Sequence, residues 1–174
     1  MANDSEIWQQ IRRGNPDAFD AFYREIAPRV RAFLQHVVGN SETAEDLMQE
    51  TFAEIWGQAK GFRHERGSLR AYVYGIARKR AAEWWRTGDH RGKEIAFPLV
   101  AERAEMVSIV ADALAHIDEE QRMILWLREV EGHSYAELAE ILAIPVGTVR
   151  SRLFAARDAV RKVWNGAKLP KEEV

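Results

Sequence analysis

The chain has 174 residues, 47% of them hydrophobic, and no cysteine. This composition allows one or two small domains with apolar cores, and it excludes disulfides and thiolate metal sites. The formal net charge is −2, and no segment approaches the roughly 20 apolar residues of a membrane span. Because the N-terminus also lacks the apolar run of a signal peptide, we expect a soluble, cytoplasmic protein.

Helical periodicity dominates the N-terminal part of the chain. Residues 4–13 predict a short amphipathic helix, and the pair Asn15-Pro16 predicts the start of a second helix, since proline suits a first turn. Gly39 is expected to end this second helix. Pro28 lies inside it and should kink or divide it, because proline lacks the amide N–H that a helix needs.

Two further helices follow, and they differ in charge. The third begins after Ser41, within the stretch 40–59, which carries five acidic residues and no basic one. Its apolar periodicity predicts a buried side made of Ala44, Leu47, Met48, Thr51, Phe52, Ile55 and Trp56. The fourth begins at Ser68, within the stretch 61–93, which carries nine basic and three acidic residues. Such zones suggest a polyanion contact beside a surface for a basic partner, although the acidic zone alone also fits an ordinary solvated helix face.

The fourth helix, which should end near Arg86, interleaves basic and aromatic side chains. Its expected exposed positions include Arg70, Tyr74, Arg78 and Trp85. Basic groups neutralise phosphates and aromatic rings stack on unpaired bases, so this pattern suits single-stranded nucleic acid. Aromatic residues at helical spacing are more often part of a core, and for Trp85 both interpretations stay open.

The rest of the chain predicts four helices after a stretch of mixed charge. We expect a first domain over 1–88, a flexible linker over 89–103, a second domain over 104–167 and a tail over 168–174. The helices predicted in the second domain span 104–116, 118–131, 134–142 and 146–164. No segment predicts a strand, so the expected fold class is all-α, with two small helical domains joined by the linker.

The last two predicted helices have the pattern of a helix-turn-helix. Ser134 and Glu137 form an S-x-x-E capping box, and Pro145 separates the two helices. One side of the last helix is apolar at helical spacing. The other side carries groups that suit the phosphates, base edges and thymine methyls of a major groove: Arg150, Ser151, Phe154 and Arg157. A short helical hairpin with a solvated basic face is the alternative interpretation.

Three segments, in this order and spacing, resemble the conserved regions of an extracytoplasmic function (ECF) sigma factor, a bacterial transcription initiation subunit. The family's polymerase-core-binding helix resembles TAEDLMQETFAEIW (43–56). The helix that opens the promoter and meets the minus-ten element resembles GSLRAYVYGIARKRAAEWWR (67–86). The domain that reads the minus-thirty-five element resembles EGHSYAELAEILAIPVGTVRSRLFAARDAV (131–160).

The resemblance implies a role for each segment. The third helix would dock on a basic coiled coil of the polymerase β′ subunit through Asp46, Leu47, Gln49, Glu50 and Phe52. The fourth helix and the loop after it, which in this family takes up a flipped base, would hold the minus-ten strand through Arg70, Tyr74, Arg78, Lys79, Trp85, Arg86 and Arg91. The last helix would contact the minus-thirty-five element through Thr148, Arg150, Ser151, Phe154 and Arg157.

Two positions depart from the family's pattern. The family often has asparagine where Lys79 stands and arginine where Ala155 stands. The first departure replaces an amide by a charge, and the second removes one expected contact to a phosphate or a base. Both could shift promoter preference without changing the class of protein.

The resemblance implies a sigma factor that binds core RNA polymerase through its β′ and β subunits, directs it to specific promoters and helps to open the DNA. It also implies an anti-sigma factor, often membrane-attached, as a further partner. The alternative is a stand-alone two-domain helix-turn-helix regulator, which needs neither the acidic third helix nor the separate basic and aromatic zone of the fourth helix. We expect the free domains to move relative to each other, and a compact form would partly cover the DNA surfaces.

An enzyme is disfavoured by the sequence. The five histidines are scattered and lack metal-ligand spacing, and there is no glycine-rich phosphate loop. We therefore expect no catalytic residue, no metal, no cofactor and no small-molecule substrate.

Overall fold

The computed structural model describes residues 4–57, 68–87 and 117–168, and within them the chain is helical, without a strand. Four helices form the N-terminal half: α1 (Asp4–Arg12), α2 (Pro16–Val38), α3 (Ser41–Gly57) and α4 (Leu69–Thr87). Three helices and a π-helical turn (Trp126–Val130) form the C-terminal half: α5 (Glu119–Leu125), α6 (Tyr135–Leu142) and α7 (Val146–Lys168). The all-α prediction is confirmed. The expected linker 89–103, the expected helix 104–116 and Arg91 lie outside the described residues.

The long helix α2 is the element on which the N-terminal half is built. The Asn15 side chain caps it by accepting hydrogen bonds from the backbone amides of Asp17 and Ala18, at 3.1 and 3.3 Å. Gly39 ends it with a φ of 70°, a left-handed conformation that suits glycine. Pro28 does not divide the helix. Pro28 lies on the exposed side of α2, so water can solvate the backbone carbonyl that lacks its hydrogen bond. Packing of the residues before and after Pro28 keeps the helix continuous.

Helices α3 and α4 pack against α2 and enclose the core of the N-terminal half. The largest fully buried side chains of this core are Val30, Phe33, Leu34, Ile55, Leu69, Val73 and Tyr74. The rings of Phe33 and Tyr74 meet edge to face, with centroids 5.4 Å apart. Because close packing fixes how each helix is rotated about its axis, this core decides which residues of α3 and α4 face outward.

The start of α4 is completed by side chains from outside the helix. Ser68 Oγ accepts a hydrogen bond from the Ala71 amide at 3.1 Å, which confirms the predicted N-cap. Asp4 Oδ2 accepts a second one from the Leu69 amide at 2.9 Å. A carboxylate near the positive end of a helix is favourable, so α1 stabilises the first turn of α4.

The predicted helix-turn-helix is present in the C-terminal half. Ser134 Oγ accepts a hydrogen bond from the Glu137 amide at 3.2 Å, and the Glu137 carboxylate accepts one from the Ser134 amide at 2.9 Å. Helix α6 ends at Ala143, whose φ of 53° is left-handed, and α7 begins three residues later. Buried apolar side chains join the two helices: Leu138, Ile141, Val149, Leu153 and Ala156.

The helix predicted over 118–131 changes its hydrogen-bond pattern before it ends. Beyond α5 the chain forms the π-helical turn, and the Glu131 amide donates to the Trp126 carbonyl at 3.1 Å. Such turns are rare and are often found at functional sites. Here the turn leads directly to Glu131, a charged residue that is only 5% exposed.

The two halves pack against each other, with α4 lying along α6. A Cβ atom at Gly75 would be 4.0 Å from the Ile141 Cα atom, so the missing side chain permits this close approach. A second contact stacks His36 of α2 on Trp126, with ring centroids 4.5 Å apart. Burial lowers the pKa of His36 to about 4, and the charge of Arg122 adds to the effect. The imidazole is therefore neutral at neutral pH.

Candidate polymerase and nucleic-acid interfaces

The outer side of α3 is an exposed acidic surface. Asp46, Gln49 and Glu50 all lie on it and are exposed. The Glu50 carboxylate is 3.9 Å from Arg80 of α4, whereas Arg80 has a closer partner in Glu54, at 2.6 Å. Among the described residues Glu50 is therefore only weakly engaged, which leaves its carboxylate available to a basic partner.

Two residues predicted to dock beside these acids are not on the surface. Leu47 and Phe52 are 6% and 2% exposed, and the ring of Phe52 lies 4.8 Å from that of Tyr23 in α2. Their burial agrees with the apolar periodicity, which placed both on the buried side, and it contradicts the outer docking role that the resemblance implied for them. Their contribution is to hold α3 in place from inside.

The apolar group at the end of the acidic surface is one that the sequence assigned to the core. Trp56 is 43% exposed, and its ring lies 4.8 Å from that of Phe19. Periodicity placed it one turn after Phe52, on the same side. It lies in the last turn of α3, where the neighbouring ring covers the indole only in part. Trp56 therefore adds an apolar contact to the candidate docking surface.

Helix α4 has an open side and a covered side. Lys79, with a side chain 60% exposed, and Arg86 lie on the open side. Tyr74 has no exposed surface, and Arg70 and Arg78 are half-buried. The expectation that Tyr74 is exposed is wrong, because its ring packs on Phe33 in the core of the N-terminal half and on His133 of the C-terminal half.

An ion-pair cluster joins the two halves around Glu131. Its carboxylate pairs with the guanidinium groups of Arg70 and Arg29, the latter at 3.1 Å, and its backbone carbonyl accepts a further hydrogen bond from Arg70 at 2.9 Å. Burial raises the pKa of Tyr74, and the neighbouring Glu131 raises it further, so the phenol stays protonated.

Ser68 and Arg78 of the N-terminal half also form hydrogen bonds with the C-terminal half. Ser68 Oγ donates to the Glu137 carboxylate at 2.5 Å, and Arg78 Nε donates to the Ile141 carbonyl at 2.7 Å, near the end of α6. Burial alone would raise the pKa of Glu137, but hydrogen bonds from Ser68 and Ser134 outweigh it and lower the pKa. Arg70 and Arg78, both predicted to bind DNA, are thus held by the C-terminal half.

A cavity of about 380 Å³ lies beside these bonds, between α4 and helices α5 and α7. Trp85 and Arg78 line one wall, and Glu119, Glu120 and Arg152 line another. Arg152 pairs with Glu120 at 2.7 Å, and burial raises the pKa of Glu119. Trp85 is therefore half-buried at the wall of a cavity rather than in either core.

The outer side of α7 is open. Phe154 is 72% exposed, and Arg150 and Ser151 are exposed beside it. The Ser151 hydroxyl donates to the Thr148 carbonyl at 3.0 Å. The exposed side of α7 thus combines a cationic, a hydroxyl and an aromatic side chain within residues 150–154.

Two arginines of α7 differ in their partners. Arg157 pairs with Glu129 of the π-helical turn at 2.6 Å. Within the described ranges Arg150 forms no ion pair, and neither Glu137 nor Glu140 of the preceding helix engages it. Arg157 is thus paired with an acidic residue, whereas Arg150 has no acidic partner among the described residues.

Two family models match the chain, Sigma-70 region 2 over residues 22–91 and Sigma-70, region 4 over residues 108–160. The RNA polymerase sigma-H factor of Pseudomonas aeruginosa is 30% identical, over 91% of this chain and 92% of that protein. The ECF RNA polymerase sigma-E factor of Escherichia coli is 27% identical, over 90% of this chain and 92% of that protein.

Solved structures share the fold. The structure of CnrH in complex with the cytosolic domain of CnrY matches with a TM-score of 0.73 and 23% identity, over 94% of this chain and 97% of that chain. The sigma factor RpoE from Bartonella quintana, in complex with the anti-sigma factor NepR, matches with a TM-score of 0.67 and 24% identity, over 84% and 96% of the two chains.

The chain belongs to the sigma-70 family. It has the parts of such a protein in the same order: an acidic helix, a basic helix beside it and a helix-turn-helix. Within the family it is a sigma factor of the ECF type. Sigma factors are transcription initiation factors rather than enzymes. No helix in the described part of the chain is long and apolar enough to span a membrane.

Proposed function

We propose that this sigma factor binds core RNA polymerase through the outer side of α3, directs it to specific promoters and helps to open the DNA in the cytoplasm. The observation that carries the proposal is the exposed acidic surface of Asp46, Gln49 and Glu50 on a helix packed beside the basic α4. A protein that only bound DNA would gain nothing from such a surface. Charge complementarity with a basic coiled coil of the β′ subunit would speed and orient docking.

The minus-ten strand is assigned to α4 and the loop after it. Lys79 and Arg86 would neutralise phosphates from the open side of the helix. Trp85 lines a cavity rather than a packed core, which supports a role for its ring as a stacking surface for an unpaired base. Arg70, Tyr74 and Arg78 would take part once the C-terminal half has moved away.

The minus-thirty-five element is assigned to the outer side of α7. Arg150 would reach a base edge from the first turns of the helix, and Phe154 would contact a thymine methyl or a sugar. Thr148, Ser151 and Arg157 would contact the backbone. An anti-sigma factor, soluble or membrane-attached, is proposed as a further partner, in keeping with the complexes in which the similar RpoE was solved.

The proposal is tested by run-off transcription with core polymerase over a genomic promoter library, with and without the chain. A sigma factor should produce specific transcripts that depend on its addition. The stand-alone regulator would instead bind duplex promoter DNA tightly without polymerase and produce no run-off transcript with core enzyme alone. That pattern would overturn the proposal.

Arg150→Ala is expected to cost about 1–3 kcal/mol in promoter discrimination and to relax preference at one base pair of the upstream element. Arginine can grip guanine with two hydrogen bonds, and Arg150 is exposed without an ion pair to any described residue. The measurement is promoter-library transcription with the variant. Lys162→Ala is the control, because Lys162 lies near the helix end and pairs with Asp158 at 2.9 Å. An unchanged sequence profile for Arg150→Ala would show that this arginine does not read a base.

A further inference from the structure

Glu83 is an acidic residue in the middle of a surface that is otherwise basic. It is the one acidic residue of α4, and helical spacing places it on the open side, between Lys79 one turn before it and Arg86 one turn after it. The two cations lie about 10 Å apart along the helix axis, with the carboxylate between them. The side of α4 that is assigned to a nucleic-acid strand thus carries at its centre a group that repels phosphates.

The stability of α4 does not account for this carboxylate. It lies 3.9 Å from the Lys79 ammonium and 3.4 Å from the Arg80 guanidinium, and Arg80 has a closer partner in Glu54, at 2.6 Å. A lysine four residues before a glutamate is the less favourable order for such a pair, and the C-terminal part of a helix does not favour a negative charge. The Glu83 side chain is therefore only weakly engaged by its described neighbours, and 36% of it is exposed.

A carboxylate on such a surface can bind only one kind of nucleic-acid group. It has two acceptor oxygens and no donor, so its partners are the N–H groups of the bases. On the Watson–Crick edge, which an unpaired strand exposes, adenine, cytosine and thymine each present a single donor group, whereas guanine presents N1–H and N2–H side by side. The two oxygens match this pair, and hydrogen bonds to an ionised acceptor are the stronger ones. Guanine is therefore the base that a carboxylate binds best on this edge.

We propose that Glu83 is a specificity-determining residue: it selects a guanine of the unpaired minus-ten strand by accepting hydrogen bonds from N1–H and N2–H, while Lys79 and Arg86 bind neighbouring phosphates. This inference rests on the proposed function, since it takes α4 to be the helix that binds the minus-ten strand. In the duplex the same edge of guanine is paired with cytosine and is closed to the carboxylate. Glu83 therefore acts after the strands separate, and a guanine at its position favours the opened promoter over the closed one.

The first test is run-off transcription by core polymerase with this chain, over a library randomised across the minus-ten element of an active promoter. The natural chain should prefer guanine at one position by at least about fivefold, the lower end of what a good bidentate pair contributes. Glu83→Gln should reduce this preference to within about twofold, because a carboxamide replaces one acceptor oxygen by a donor. Glu25→Gln is the control. It makes the same change of charge on the exposed side of α2, and it should keep the guanine preference.

The second test removes the donor from the DNA instead of the acceptor from the protein. The probe is a fluorescent minus-ten single strand with the preferred guanine, bound to core polymerase with this chain, and its counterpart carries inosine, which lacks the N2 amino group. The natural chain should bind the inosine strand at least about fivefold more weakly, since a hydrogen bond to a charged group is lost. Glu83→Gln should bind both strands within about twofold of each other. This cycle isolates the contact between carboxylate and amino group, which a purely structural role of Glu83 would not produce.

The outcomes separate the inference from the function on which it rests. If the natural chain prefers no guanine in the minus-ten element, or if Glu83→Gln keeps the preference, the inference is overturned. If Glu83→Gln strengthens binding of every strand alike, the carboxylate only repels phosphates, and the inference is equally overturned. Equal binding of the guanine and inosine strands by the natural chain would contradict it without any variant that has to fold. If the natural chain supports no transcription with core polymerase at any promoter, it is the proposed function that fails.

Discussion

Reversing two charges on α3, Asp46→Lys together with Glu50→Lys, is expected to weaken binding to core polymerase by at least about 100-fold, or about 2.8 kcal/mol. Both carboxylates lie on the exposed acidic surface, and like charges facing each other across an interface cost several kcal/mol. The fold should survive, because Arg80 keeps its closer partner Glu54 at 2.6 Å when Glu50 is lost. The measurement is a pull-down or a titration with labelled core enzyme.

The control for this reversal is Asp20→Lys together with Glu25→Lys on the exposed side of α2. It changes the net charge by the same amount at a surface to which no role is assigned. It should bind core enzyme as the natural chain does, and both doubly substituted proteins should keep their helical circular dichroism. Undiminished binding by the α3 variant would sink the assignment of that surface to polymerase.

Leu153→Ala is expected to destabilise the C-terminal half by about 2–5 kcal/mol, because removing a buried leucine loses its transfer free energy and leaves a cavity. Leu153 is fully buried and belongs to the cluster that joins α6 to α7. The measurement is the free energy of unfolding from a urea titration followed by far-ultraviolet circular dichroism. Promoter selection should be lost at temperatures where the variant unfolds.

The neighbouring exposed position supplies the comparison for this experiment. Ala155→Gln is a substitution on the outer side of α7, where changes usually stay within about 0.5 kcal/mol. Core-enzyme binding by Leu153→Ala should persist after promoter selection is lost, because α3 belongs to the other half. If the leucine variant were as stable as the glutamine variant, Leu153 would not be a packing residue of the helix-turn-helix.

Features that depend on neighbouring residues in the sequence could be predicted. The start at Asn15-Pro16, the end at Gly39 and the capping box of Ser134 and Glu137 each depend on groups that lie within four residues of one another. Such contacts are set by local stereochemistry. The exposure of Arg150 also followed from the sequence, because one side of α7 is clearly apolar and the opposite side must then face outward.

Features that depend on which distant element covers a helix could not be predicted in the same way. Periodicity identified a polar and aromatic side of α4, but it could not show that Phe33 of α2 and His133 of the C-terminal half enclose Tyr74. An arginine pattern is equally suited to a phosphate or to a carboxylate such as Glu131. Phe52 and Trp56 lie one turn apart on the same helix, and only the extent of the neighbouring helix decides that one is buried and the other half-exposed.

The side chain of Glu137 completes the starts of two helices that are far apart in the sequence. It closes the capping box of α6 and accepts the hydroxyl of Ser68, which caps α4. A fluctuation that pulls α6 away thus removes a bond from the first turn of α4 at the same time. We therefore expect the two helix starts to unfold locally as one unit, so that amide hydrogens near Ala71 and Glu137 exchange with solvent together.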